Sequence, residues 1–446
     1  MHKNPRGLVL YTLNAFHYED ILLDTLMMNV FDQISLFEQR DRALIHFLIY
    51  GVIRWRSYLD HIISHVSHIS ISKISLPILN TLRMGLFQLF FMDRIPQHAA
   101  VSSSVALVHI FSAKYLARFV NGILREAIRS NDKIHWPDET TQPVDFLSVK
   151  YAYPRWLIQR WVNQWGVRVT KDLCNAGNTV PPIILRTNTL KIERSQLIHQ
   201  LASDAKNIAR TVHSKDGICI SNLKYAIGNT ELFERGLYQV QDEAAQLVGM
   251  IISPKPGELI LDACAGRGGK TGHLAQCMNN LGTIVAVDRS KEKLRVLTDE
   301  MKRLGVTIVS TSQHRWKKRM NDRLYDRVLV DAPCSGLGVI RRHPDMKWKK
   351  TKTHIIQNAK NQAKVLQTTA KHVKPGGQLV YSVCSLEPDE TSHIVEKFLS
   401  QHKNFIIDTN NNNILEPFID KKGYYFFRPD IHTMDGFFAV SLIRTQ

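Results

Sequence analysis

The chain has 446 residues, with 58 Lys+Arg against 40 Asp+Glu, a formal net charge of +18 and 44% hydrophobic content. Such a length exceeds one ordinary core and predicts two to four domains, while apolar stretches such as 86–92 fall far short of the ~20 residues of a membrane span. The cationic excess favours a polyanionic partner, because Lys and Arg contacts to phosphate release condensed counterions; a basic but unspecialised surface is the plainer alternative.

Lys3 and Arg6 before an apolar patch faintly imitate a signal peptide. His17-Tyr-Glu-Asp20 then follows and no small-residue cleavage site appears, so a cytoplasmic chain is expected. Residues 1–132 read as helical throughout. Phe16, Ile21, Leu22 and Leu26 recur at helical spacing, as do Leu44, Phe47, Leu48 and Val52, and Pro77 sits in the first turn of a further helix. Residues 133–145, with Pro137 and Pro143, read as a linker. From 146 to 236, a helix carrying Trp156, Trp161 and Trp165 precedes short apolar runs such as Ile183-Ile-Leu185 and Ile218-Cys-Ile220, predicting a small α+β module.

From 237 to 446 the rhythm is strand, turn, helix. Leu259-Ile-Leu-Asp262, Thr283-Ile-Val-Ala-Val-Asp288, Arg327-Val-Leu-Val-Asp331 and Gly377-Gln-Leu-Val-Tyr381 read as buried strands of a mostly parallel, doubly wound sheet. Between the first strand and its helix lies Asp262-Ala-Cys-Ala-Gly-Arg-Gly-Gly-Lys270, whose Gly266, Gly268 and Gly269 let a nucleotide-type cofactor approach the backbone. Asp288 closes the next strand, at the distance expected of a ribose-binding carboxylate. Gly269-Lys270-Thr271 resembles the end of a P-loop, but the required earlier glycine is Cys264, which disfavours ATP hydrolysis. A dinucleotide stays open from the turn alone.

The six cysteines, at 174, 219, 264, 277, 334 and 384, form no CxxC pair and fit reduced thiols. Cys174, Cys219 and Cys277 read as core filling, and Cys264 as lining the turn. Cys334 and Cys384 differ, since each lies just past the carboxyl end of a predicted strand, where sites form. His61, His65 and His68 share a helical face without a carboxylate or thiol pattern, so surface histidines and no metal are expected.

Together these segments resemble a known family. Asp262-Ala-Cys-Ala-Gly-Arg-Gly-Gly-Lys-Thr271, Asp331-Ala-Pro-Cys-Ser-Gly336, Val339-Ile-Arg-Arg-His-Pro-Asp345 and Tyr381-Ser-Val-Cys-Ser-Leu-Glu-Pro388 resemble the motif set of RNA cytosine-5 methyltransferases. The N-terminal region resembles NusB through Tyr50-Gly-Val-Ile-Arg-Trp-Arg56, Leu82-Arg-Met-Gly-Leu-Phe-Gln88, Asp93-Arg-Ile-Pro-Gln-His-Ala-Ala-Val101 and Phe119-Val-Asn-Gly-Ile-Leu-Arg125. The pairing is similar to the bacterial 16S ribosomal RNA (cytosine-5)-methyltransferases of the RsmB/Sun/Fmu type, over nearly the whole chain. It implies an all-α NusB-like domain, a small α+β RNA-binding module and a Rossmann-like α/β methyltransferase domain that uses S-adenosylmethionine. By that resemblance Cys384 is the nucleophile, Cys334 assists product release, and Asp331 holds the cytosine edge. Cys264, Ala265, Gly266, Arg267, Gly268, Gly269, Lys270, Asp288, Gln313 and Asp331 would contact the cofactor. The implied partner is 16S ribosomal RNA, bound by a monomer. Another ribosomal RNA site, tRNA, or a non-catalytic RNA-binding assembly factor are the alternatives.

Three departures accompany the resemblance. Gly266-Arg267 stands where the family has Ala-Pro, Gln313 where it has an acidic residue near the adenine, and Val383 where threonine precedes the nucleophile. A guanidinium turned inward would oppose a cationic sulfonium, so Arg267 is expected to face outward or to contact RNA phosphate. From 341 to 374 the chain carries ten Lys/Arg against one acidic residue. Beside a base-accepting crevice this predicts phosphate contacts from Arg341, Arg342 and Lys347, with Trp348 either stacking a base or packing.

Overall fold

Asn4 accepts a hydrogen bond from the Arg6 amide at 3.0 Å and Pro5 occupies the first turn, so the first helix, Pro5–Tyr18, starts where its sequence dictates. The computed structural model describes residues 4–19, 21–112, 114–223, 227–314, 323–409 and 413–445. Their packing forms two units. One holds the chain up to Thr179 together with Ile340–Lys349; the other holds Val180–Val339 and the chain from Lys350 onward.

The first unit is helical. Helices Pro5–Tyr18, Gln39–Arg54 and Arg56–Val66 each bury one stripe, whereas Leu76–Phe91 buries Ile78, Leu82, Met84, Leu86 and Phe87 around most of its girth and so lies centrally. Its Arg83 is itself buried, held by both oxygens of Asp60 at 2.6 and 2.8 Å and by Asn80 Oδ1 at 2.8 Å. Within the expected linker, Asp138 Oδ1 takes the amides of Thr140 and Thr141, and Pro143 then opens the helix Pro143–Lys150. The long helix Arg155–Asn178 is broken at Gly166, whose φ of +79° leaves the helical region.

The second unit begins with β1 (Ile183–Thr187), β2 (Ala205–Arg210), β3 (Gly217–Leu223) and β4 (Tyr238–Val240), an antiparallel sheet in the order β2-β3-β1-β4. Helix Arg194–Leu201 covers it through Leu197 and Leu201, and starts with a capping box between Glu193 and Gln196.

The larger sheet comprises β5 (Leu259–Asp262), β6 (Thr283–Asp288), β7 (Val309–Gln313), β8 (Tyr325–Asp331), β9 (Val373–Val383), β10 (Phe405–Ile407), β11 (Tyr425–Phe427) and β12 (Phe437–Arg444). Its order is β10-β12-β9-β8-β5-β6-β7, with β11 on β12. Strands β5 to β9 run parallel, while β12 runs against them and pairs antiparallel with β9, β10 and β11, so the sheet is mixed. From β5 the chain winds outward to β7, then returns to add β8 on the other side. The order reverses between β6 and β8, on either side of β5, which places a ligand crevice at the carboxyl end of β5. Among the described residues no helix is long and apolar enough to cross a membrane.

Candidate active site

At the carboxyl end of β5 the chain turns through Gly266 (φ +57°) and Gly268 (φ +89°), a left-handed backbone that side-chain residues resist. The two glycines serve different ends. A Cβ on Gly268 would come within 2.8 Å of Leu297 and 3.1 Å of Met301, so its absence lets the following helices pack. One on Gly266 would meet only the Cys264 carbonyl at 4.0 Å, so that part of the turn faces open space. The Gly266 amide donates to Asp288 Oδ2 at 3.1 Å and the Ser290 amide to Oδ1 at 2.8 Å, which fixes the Asp288 carboxylate at the end of β6. In the ladder, Gln313 lies beside Asp288, is exposed, and donates to the Arg289 carbonyl at 3.1 Å. Arg267 is exposed.

Beneath the turn, Asp262 Oδ2 accepts from Thr271 Oγ1 at 2.7 Å, while Oδ1 is buried without a hydrogen-bond partner among the described residues. Burial pushes the Asp262 carboxyl up to about 7 and the Cys264 thiol well above the cysteine range. The folded value of Asp262 exceeds the unfolded one, so its contribution to stability is complete below the unfolded pKa and is lost as pH rises through about 7. The unfolding free energy should therefore fall between about pH 4 and 7 by up to ~1.4 kcal/mol for each pH step of one, and Asp262→Asn should flatten that slope in denaturant titrations.

Strands β8 and β9 bring the remaining groups together. Their register sets Asp331 opposite Ser382, so the loops after both strands leave the sheet side by side. Asp331 Oδ2 receives Lys270 Nζ at 2.7 Å and Oδ1 receives Ser382 Oγ at 2.9 Å. Cys334 and Cys384, fifty positions apart, approach to 3.2 Å between sulfurs, and both are half-buried rather than sealed off. The hydrogen bond with Cys384, then burial, holds the Cys334 thiol well above the usual range. One crevice thus holds a glycine turn, an ion pair and two thiols.

Other candidate residues lie elsewhere. Lys347 is fully buried in the first unit, donating to the carbonyls of Arg54 (3.2 Å) and Ala152 (3.1 Å) and to Asn178 Oδ1 (2.5 Å), 3.7 Å from the Tyr153 ring centroid. Burial drives its ammonium well below the lysine range. Arg341 is buried too, its carbonyl accepting from Arg54 at 2.7 Å, and Arg342 is half-buried. Arg341 and Lys347 therefore do not present phosphate contacts, which corrects the reading of the charge run: part of it is an internal pin. Trp348 packs, donating its indole N–H to the Ile53 carbonyl at 2.7 Å.

Sequence reasoning passed over two buried groups. Arg186 on β1 donates to the Gly269 carbonyl at 2.8 Å, and Glu390 bonds both cysteine loops. The signal for Glu390 was the repeated Cys-Ser step, 334–335 and 384–385; Arg186 had none.

The sheet order, with its glycine turn and carboxylate at the switch point, is that of a Rossmann-like nucleotide-cofactor domain, and the matching families make it an S-adenosylmethionine-dependent methyltransferase. Family models match as 16S rRNA methyltransferase RsmB/F over residues 249–443, NusB family over 3–129, and the RsmF/B-like ferredoxin-like domain over 153–224. The chain is 31% identical over 444 residues to a Bacillus subtilis protein described as "Probable ribosomal RNA small subunit methyltransferase B", covering 98% of each. It is 32% identical over 375 residues to ribosomal RNA small subunit methyltransferase B of Pseudomonas syringae, covering 83% of this chain and 81% of that one. A solved methyltransferase homolog from Pyrococcus horikoshii superposes with a TM-score of 0.58 at 29% identity, over 67% of this chain and 97% of its own. The chain belongs to the ribosomal RNA small subunit methyltransferase B family. Its crevice fits that family's cofactor, since the open space at Gly266 admits a ligand to the backbone beside the Asp288 carboxylate.

Proposed function

We propose that this chain methylates C5 of a cytidine in 16S ribosomal RNA through a covalent bond between Cys384 and C6 of the base. The observation that carries the reading is the 3.2 Å approach of two thiols beside the Lys270–Asp331 pair. Cytosine C5 is too poor a nucleophile to take a methyl group directly. Addition of the Cys384 thiolate to C6 moves the C5–C6 π electrons onto C5 and makes it one. S-adenosylmethionine, when bound, supplies the electrophilic methyl group. Loss of the C5 proton then restores the C5–C6 double bond and expels Cys384 as thiolate. Cys334, whose sulfur meets that of Cys384, would assist this release. Asp331, oriented by Lys270 and Ser382, would bond the N3/N4 edge of the flipped-out base and stabilise its protonated form in the adduct.

Gly266 to Lys270 and Asp288 would hold the cofactor, with Cys264 and Ala265 behind them and Gln313 beside the adenine. The helical unit and the antiparallel module would grip the RNA of a cytoplasmic ribosomal precursor. With Arg341 and Lys347 withdrawn into the interior, phosphate contact passes to the exposed Lys352, Lys360, Lys364 and Lys371.

In cells expressing Cys334→Ala, a denaturant-stable RNA adduct should accumulate, and sequencing the trapped RNA names the substrate. The Cys334→Ala/Cys384→Ala variant should lose it. A folded Cys334→Ala protein that binds RNA without any adduct would overturn the covalent reading.

A further inference from the structure

Glu390 ends the short turn Pro388–Glu390 and is completely buried. Its Oε1 accepts from the Ser335 amide at 2.8 Å and from Gln362 Nε2 at 3.2 Å; its Oε2 accepts from Ser335 Oγ at 2.5 Å and Ser385 Oγ at 2.6 Å. All four partners donate and none is a cation, so this is a buried acceptor site filled by neutral dipoles. Two of those donors belong to the residue after Cys334 and one to the residue after Cys384. Gln362 also donates to the Pro333 carbonyl at 3.0 Å, so the residue before Cys334 is tied to the same centre. The Tyr381 hydroxyl donates to the Glu390 carbonyl at 2.7 Å, anchoring the turn to β9.

A carboxylate that only glued one loop would need one loop's donors. This one spans two loops at the step where each presents its thiol, and the Ser335 and Ser385 hydroxyls that it gathers also meet each other at 3.3 Å. We propose that Glu390 is the positioning residue of the thiol pair: its two oxygens set the loops in register so that the sulfurs meet. The proposal rests on the roles assigned above to Cys384 and Cys334. The Cys334 thiol is held against ionisation first by Cys384 and by burial, and the Glu390 carboxylate adds to that hold.

Reach and charge are separable. Glu390→Gln keeps the length; its oxygen faces the Ser335 amide and Gln362, while its amide group donates to the serine hydroxyls, which turn to accept. Glu390→Asp keeps the charge but is one methylene too short to serve both loops. Two readouts on the full chain need no methyl transfer. Diamide-driven disulfide formation between Cys334 and Cys384, followed by peptide mass spectrometry, reports register. Iodoacetamide alkylation of Cys334 against pH, in a Cys384→Ser background, reports where its proton is held.

Glu390→Asp should slow cross-linking by about tenfold or more, as a displacement near 1 Å does to a proximity-limited step, with Glu390→Gln like the parent. Glu390→Gln should raise Cys334 alkylation at neutral pH, because removing the charge lets the thiol ionise at lower pH. Cross-linking of Glu390→Asp at the parental rate, or unchanged alkylation in Glu390→Gln, overturns the proposal. Because neither readout depends on an RNA adduct, failure of the covalent mechanism would show separately in Cys334→Ala.

Discussion

Cys384→Ser should lower methyl incorporation into small-subunit RNA by ~10⁴-fold or more while leaving the thermal midpoint within about 1 °C of the parent. The kinetic loss follows from the proposed chemistry. A hydroxyl stays protonated at neutral pH and adds poorly to C6, so the step that makes C5 nucleophilic is lost. The small structural effect follows from the surroundings. The Cys384 side chain is half-buried and its sulfur meets Cys334, whereas the loop is held by other bonds: the Gly338 amide to the Cys384 carbonyl at 3.1 Å, and Ser385 to Glu390. Radiolabelled methyl transfer and a melting curve on one preparation separate the two effects. Activity within tenfold of the parent would mean that the nucleophile lies elsewhere.

The parts of this architecture legible in sequence are those whose physics is local. Leu259–Asp262, Thr283–Asp288 and the core of Tyr325–Asp331 are covered on both faces, so each reads as a continuous apolar run, and their ends fall at Asp262, Asp288 and Asp331. The edge strand Val309–Gln313 is mostly exposed and polar, leaving no period to detect. Strand Phe437–Arg444 is apolar but pairs antiparallel with β9, so the parallel strand–turn–helix rhythm passes over it.

Charge misled where burial reversed its meaning. Lys347 sits in a run of cations that resembles a phosphate-binding face, yet its three oxygen acceptors come from residues 293, 195 and 169 positions away. Composition cannot foresee acceptors that only the fold assembles. Glu390 was hidden for the same reason: Glu387-Pro-Asp-Glu390 reads as a polar surface turn until the fold closes two serine loops over it.

Arg186→Met should destabilise the second unit by ~3–5 kcal/mol and weaken binding of S-adenosylhomocysteine. Arg186 is 1% exposed and, among the described residues, has no carboxylate hydrogen-bonded to its guanidinium. Nη2 donates to Gln239 Oε1 at 2.6 Å, Nη1 to Gln241 Oε1 and to the Gly269 carbonyl, and Nε to Gln276 Oε1 at 3.3 Å. Burial lowers its pKa to about 10, so a cation is being held by neutral amides at a desolvation cost. Methionine removes that cost and fills comparable volume, but it strands three glutamine oxygens and one carbonyl in the interior. The second loss is the larger, since each stranded acceptor costs ~1–3 kcal/mol. The link to cofactor is the Gly269 carbonyl, in the first turn of the helix that follows the glycine turn. Freeing it loosens the backbone that the cofactor must approach. Arg186→Lys tests the geometry, because an ammonium cannot span four divergent acceptors and should recover only part of the loss. Urea unfolding and calorimetric titration of S-adenosylhomocysteine measure the two effects independently. Full stability of Arg186→Met would show that the glutamine cage satisfies itself, and unchanged cofactor affinity in a destabilised variant would detach Arg186 from the site.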